Sequence, residues 1–236
     1  MYRRYLNARS PLRLLEKGLH GGLGPGNLGL VLAGPGVGKT SFLVGVALDD
    51  LLRGKPVLHV ALDHTVSHVR VFYDTVFEDL AATTHLANAK AVHAEIDRLR
   101  RIRAYSPGAF DAKRLREALD LEAGLGARPE LIVVDGLDVA QRSREELAQW
   151  GAVARASEAE IWISAPVGSE RIPSLPEPLR PVEDLFGVIL ALEPEGAGHP
   201  GGHDAVALRA LKDHDSPDLA ALHVALDPKT LLLIRS

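Results

Sequence analysis

The sequence predicts an α/β domain with a mostly parallel central sheet, flanking helices and an antiparallel C-terminal extension. Three observations predict it. Short apolar, β-rich runs alternate with helix-patterned segments up to residue 165, which is the pattern of a doubly wound sheet. The strand runs are apolar throughout, as expected where helices cover both faces of a parallel sheet. A glycine-rich turn joins the first run directly to a helix.

The strand runs are 28–33 (LGLVLA), 56–62 (PVLHVAL), 101–105 (RIRAY), 131–135 (LIVVD) and 160–165 (EIWISA). Helical patterns occupy 39–53, 66–80, 84–99, 111–124 and 144–157 between them. After residue 187 the runs 187–192, 205–211, 220–226 and 230–235 leave no room for helices. That predicts antiparallel strands across 187–236, with turns at Gly196–Gly202 and at Asp227-Pro228-Lys229. Segment 166–181 holds Pro166, Pro173, Pro176, Pro178 and Pro181. Prolines at this density exclude regular structure and predict a long loop, and loops of this length are commonly functional. Residues 1–20 read as a lead-in, and 1–236 as one domain, since one core can serve a chain of 236 residues.

Composition narrows the chemistry. There is no cysteine, which excludes disulfides, thiolate metal sites and cysteine nucleophiles. No apolar run is long enough to span a membrane, and Met1–Tyr5 lacks the apolar run of a signal peptide. A cytoplasmic location is the expectation. The net charge of −4 argues against nucleic-acid binding by the whole surface. Two stretches carry a local excess of +4: residues 1–17 (Arg3, Arg4, Arg9, Arg13 and Lys17 against Glu16) and residues 95–116. The second reads as a solvated helix face or as a contact for an acidic partner.

The turn at 33–40 reads Ala33-Gly34-Pro35-Gly36-Val37-Gly38-Lys39-Thr40 and is followed by Ser41. This is a P-loop in its strand–loop–helix setting. Glycines let successive N–H groups curl inward around an anion, and the helix N-terminus adds partial positive charge. Gly34 through Ser41 would cradle the phosphates, Lys39 would neutralise them, and Thr40 would ligate magnesium. The run Leu131-Ile132-Val133-Val134-Asp135 ends in a carboxylate at the edge where α/β sheets bind ligands. Asp135 is the second magnesium-holding candidate. The pairs His64/His68 and His199/His203 lack further ligands of metal-site type. There is no nucleophile elbow. Trp150 and Trp162 fall in helix and strand patterns and read as core.

At these residues a family resemblance enters. His20-Gly21-Gly22-Leu23-Gly24-Pro25-Gly26-Asn27-Leu28 resembles the lead-in of the RecA-like ATPases, in the branch of KaiC, RadA and the DnaB-type helicases. Val60-Ala61-Leu62-Asp63-His64-Thr65 resembles the end of that family's second strand, where a glutamate activates water. Leu211-Lys212-Asp213-His214-Asp215 is similar to its late "K-x-R" strand end, whose lysine and arginine reach a neighbouring subunit's nucleotide. The resemblance implies ATP and Mg2+ as ligands, Asp63 as the water-positioning group, and Lys212 and His214 acting across a subunit boundary in a homo-oligomer, a ring or a dimer. It also implies that hydrolysis is slow, because Asp63 is one methylene shorter than glutamate and His214 replaces arginine.

The leading expectation is an ATP-binding, oligomeric switch or assembly factor with slow ATPase activity, with a protein partner contacted through 166–181 or 95–116. A non-hydrolysing nucleotide sensor or scaffold is the first alternative. A DNA-binding recombinase or helicase relative is the second; loop 166–181 carries Arg171 and Arg180 but no aromatic residue on which to stack a base. A metabolite kinase is a weaker fourth, since no arginine-rich lid is evident.

Overall fold

The computed structural model describes residues 7–8, 10–194 and 205–236. The turn expected at 196–202 and the pair His199/His203 lie outside them. A nine-stranded sheet has the order β3-β2-β4-β5-β1-β6-β7-β8-β9. Its strands are β1 (Leu28–Ala33), β2 (Val57–Ala61), β3 (Arg100–Ala104), β4 (Leu131–Asp135), β5 (Glu160–Pro166), β6 (Val188–Pro194), β7 (Val206–Asp213), β8 (Val224–Leu226) and β9 (Leu233–Arg235). The helices are α1 (Leu12–Gly18), α2 (Lys39–Arg53), α3 (Val66–Thr84), α4 (Ala89–Leu99), α5 (Ala112–Gly124) and α6 (Arg144–Ser157).

The extent of the antiparallel part is corrected. β6 pairs parallel with β1, with Gly29 opposite Val188, so only β7, β8 and β9 run antiparallel. A parallel return needs a crossover of a dozen or more residues. Residues 167–187 supply it without an α-helix, so the alternation used to recognise crossovers is missing there. The exclusion of regular structure from 166–181 is also corrected. Glu177–Leu185 forms a three-ten helix with Pro181 inside it, and proline's fixed φ is compatible with that geometry. The last two runs shorten to β8 and β9 around a turn in which Leu231 N donates to Asp227 O (2.8 Å) and Lys229 N to Asp227 Oδ1 (2.8 Å).

The sheet separates two apolar layers. Val31 and Ala33 face one, with Phe42, Val44, Tyr73 and Trp162. Leu30 and Leu32 face the other, with Phe110, Leu147 and Trp150. Both tryptophans are core residues, as expected. Side-chain caps start three helices: Thr65 accepts from His68 N, Asp111 from Arg114 N, and Ser143 from Glu146 N.

Much of the 95–116 charge is internally paired. Buried Arg100 donates to Asp97 Oδ1 (2.5 Å) and Asp74 Oδ1 (3.5 Å). Arg101 and Arg103 both reach the buried Glu122, and Arg114 pairs with Glu117. His93 also contacts Asp74 and Asp97, so this cluster of acids surrounds a guanidinium. Among the described residues no helix is long and apolar enough to cross a membrane.

Candidate nucleotide site

β1 ends at Ala33 and α2 begins at Lys39, so the phosphate loop bridges a buried strand and a helix N-terminus. Gly36 (φ +73°) and Gly38 (φ +115°) adopt left-handed backbone conformations, where a side chain is strained. A Cβ on Gly38 would also lie 2.5 Å from Leu226 Cδ2, so the C-terminal strands press against the loop. Gly34, Val37 and Ser41 are buried, while Pro35 and Gly36 are exposed. Lys39 Nζ donates to Ala33 O and Gly34 O, both at 3.1 Å. Burial lowers the Lys39 pKa, opposed by the charges of Asp135 and Asp63.

β5 lies between β1, which leads into the phosphate loop, and β4, which ends at Asp135. Asp135 is buried. Its Oδ2 accepts from Thr40 Oγ1 at 2.6 Å, and its Oδ1 accepts from Ser164 Oγ at 2.5 Å. Ser164 in turn accepts from Gly136 N at 2.9 Å. Thr40, Asp135 and Ser164 therefore form one chain of hydroxyl and carboxylate groups across three elements. Ser164 was missed from sequence; the available signal was a lone hydroxyl inside the apolar run of β5. The donor set is all oxygen, which suits magnesium, and Thr40 with Asp135 would hold it.

Asp63 follows β2 after Leu62, whose N–H donates to Asp135 O at 2.9 Å. The Asp63 carboxylate rests against Gly136, where an added Cβ would collide with its Oδ2 and Cγ. Gly136 has φ +88°, a backbone conformation that favours glycine, and a side chain there would push the Asp63 carboxylate aside. The structure thus brings Lys39, Thr40, Asp63 and Asp135 together at the C-terminal edge of the parallel strands.

The chain after β5 crosses this edge as a strap. Val167 N donates to Ala33 O at 3.1 Å, and a Cβ on Gly34 would sit 3.3 Å from Ser169 O. Glu193 accepts from Ile172 N. Arg209 holds Ile172 O from the other side and pairs with Glu193 at 3.3 Å. The proline-rich segment therefore packs on its own phosphate loop and on β6 and β7. It also walls an apolar cleft of about 470 Å³ that includes Ala140, Val167, Arg171 and Pro176.

Lys212 and His214 are not brought to this edge. Asp213 pairs with Val188, which pairs with Gly29, four residues before the end of β1. At roughly 3.3 Å per residue, that is about 13 Å down the sheet. Lys212 Nζ donates to Glu183 O (3.1 Å) and Phe186 O (2.5 Å). His214 Nε2 donates to Gly22 O at 3.0 Å. Both side chains tie β7 to neighbouring backbone.

A phosphate loop feeding a helix, with a carboxylate ending a strand two places away, defines a P-loop nucleoside-triphosphatase fold. Residues 5–164 match the AAA domain family, and the chain belongs to that family. Membership carries a nucleotide-binding, ATPase-type function, in a family that generally uses ATP and Mg2+. No curated protein matches the chain.

Proposed function

We propose that this chain is a slow, Mg2+-dependent ATP hydrolase of the RecA-like kind, working as an oligomeric nucleotide-dependent switch or assembly factor. The observation that carries the reading is the linked set Lys39, Thr40, Asp135 and Ser164, with Asp63 beside it across Gly136. The placement of β5 between β1 and β4 and the antiparallel strands beyond β6 support the RecA-like assignment.

Lys39 would release the carbonyls of Ala33 and Gly34 and turn its ammonium to the β- and γ-phosphates. Magnesium, held by Thr40 and Asp135, supplies charge neutralisation when bound. Asp63 would orient a water on the γ-phosphorus and accept its proton. The new bond runs from the water oxygen to phosphorus, and the phosphorus–bridging-oxygen bond breaks with its electrons leaving on ADP. Aspartate reaches less far than glutamate, and a misplacement of about 1 Å can cost roughly 10²-fold. Slow turnover follows.

A non-hydrolysing sensor is the second reading, favoured by the engagement of Lys212 and His214 with backbone carbonyls. A nucleic-acid partner gains nothing from 95–116, where most cations already have carboxylates. The test is calorimetric ATP binding, Mg2+-dependent phosphate release and particle mass, measured for the parent and for Asp63→Glu. Binding with release that rises several-fold in Asp63→Glu supports the hydrolase. Binding without release from either protein selects the sensor. Absence of nucleotide uptake overturns both.

A further inference from the structure

Away from the phosphate loop, α3 and α4 bring together three side chains of metal-binding type. His93 and Asp97 are four residues apart on α4 and so share one face of it. Asp74 meets them from α3. One ligand atom from each of the three lies within 4.8 Å of the other two. His93 Nε2 is 3.1 Å from Asp74 Oδ1, and His93 Nδ1 is 3.7 Å from Asp97 Oδ2. A neutral imidazole has one N–H and one lone pair, so one of these contacts sets a lone pair against a carboxylate oxygen. A dication on that nitrogen turns the repulsion into coordination. All three side chains are only partly buried. A second cleft of about 470 Å³, lined in part by Phe77, Glu78, Lys90 and His93, opens beside them and gives an ion its way in.

We propose that Asp74, His93 and Asp97 bind a first-row transition dication of the Zn2+ type, which ties α3 to α4. One nitrogen and two carboxylate oxygens belong to zinc's ligand set and leave a fourth tetrahedral position for water. Magnesium takes oxygen ligands, whereas imidazole suits zinc and its neighbours. The donor set therefore differs in kind from the oxygens of Thr40 and Asp135. Arg100 is compatible with the ion. Its buried guanidinium donates to Asp97 Oδ1 (2.5 Å) and reaches Asp74 Oδ1 (3.5 Å). Each carboxylate has a second oxygen, and carboxylates that ligate metals are themselves hydrogen-bonded from behind. Arg100 thus holds both carboxylates in place and offsets one of their two charges. Arg70, 3.8 Å from Asp97 Oδ2 and 59% exposed, turns to solvent when the ion enters. The proposal is independent of the hydrolase reading.

The test is calorimetric titration of the untagged full chain with ZnCl2 in excess Mg2+, together with the visible absorption spectrum of bound Co2+. The parent should take up a Zn2+ ion that Mg2+ does not displace, unfold at a higher temperature in its presence, and give a Co2+ band. His93→Gln keeps a donor for Asp74, and Asp74→Asn keeps an acceptor for Arg100, so the packing of α3 on α4 is retained. Each should weaken Zn2+ binding by at least roughly tenfold and remove the Co2+ band, while ATP affinity stays unchanged. Should Asp74→Asn fail to fold, the partly exposed His93 decides the matter alone. Absence of Zn2+ uptake by the parent overturns the proposal. Uptake that His93→Gln retains in full also overturns it, since the ion then sits on another histidine pair, His64/His68 or His199/His203.

Discussion

At the C-terminal edge of the sheet, polar side chains meet one another across elements; at the N-terminal edge, most of them meet backbone. Thr40, Asp135 and Ser164 join α2, β4 and β5 through side-chain oxygens. Lys212 near the end of β7, and His214 just after it, end on the carbonyls of Glu183, Phe186 and Gly22. The difference follows from what ends at each edge. The phosphate loop leaves Lys39 only the carbonyls of Ala33 and Gly34, which are weak alternatives to a phosphate, so that edge can exchange partners when a ligand arrives. The carbonyls that Lys212 reaches, Glu183 O and Phe186 O, lie at the end of a three-ten helix, where backbone acceptors have room for a side-chain donor. That edge is stitched together, with His20 and Asp213, whose side chains meet each other, as the exception.

The comparison can be sharpened at three places. The largest effect is expected beneath the site, at His59 in the middle of β2. His59 is fully buried beside Tyr73, with Nδ1 3.1 Å from the phenol oxygen. Burial depresses its pKa from 6.5 to about 4. The folded chain therefore binds fewer protons than the unfolded chain between those values. The stabilisation is complete above pH 6.5 and is lost as pH falls through about 4, for a total of about 3 kcal/mol. Denaturant unfolding across that window, compared between the parent and His59→Leu, should show this component of the slope vanish in the variant, whatever its absolute stability.

Next comes Gly136→Ala. Its Cβ would displace the Asp63 carboxylate, so kcat should fall by roughly 10²-fold while ATP affinity, set by the phosphate loop, stays within about twofold. Equal losses in kcat and affinity would show that Asp63 and the loop move as one unit. The smallest effect belongs to Lys212→Met, which keeps the stem and removes the ammonium. It should cost about 1–2 kcal/mol in unfolding free energy and leave ATP affinity alone. A variant as stable as the parent but slower in turnover would move Lys212 from stitching to chemistry.

Legibility followed sequence distance. Helices 39–53 and 144–157 and strand 131–135 coincide with α2, α6 and β4, because local periodicity and capping decide where such elements begin and stop. Lys39, Thr40 and Asp135 were legible because the phosphate loop is contiguous and an apolar strand ending in aspartate is recognisable. Ser164 was not, since nothing near it in sequence marks it. Its meaning comes from β5 inserting between β1 and β4. Arg100 read as part of a basic surface because Asp74 is 26 residues away and reaches it only when α3 packs on β3. The parallel course of β6 escaped because its crossover is a strap with a three-ten helix instead of an α-helix.

The amino-acid order alone determined the alternation of strands and helices, the phosphate-binding turn and the strand-end carboxylate, since each depends on groups within a few residues of one another. Tertiary structure decided which strands are neighbours, and with that the Thr40–Asp135–Ser164 chain, the strap over Gly34 and the meeting of His20 with Asp213 across 193 positions. Such contacts depend on how the sheet is threaded, which is set by the summed burial of two apolar layers and is written in no single segment.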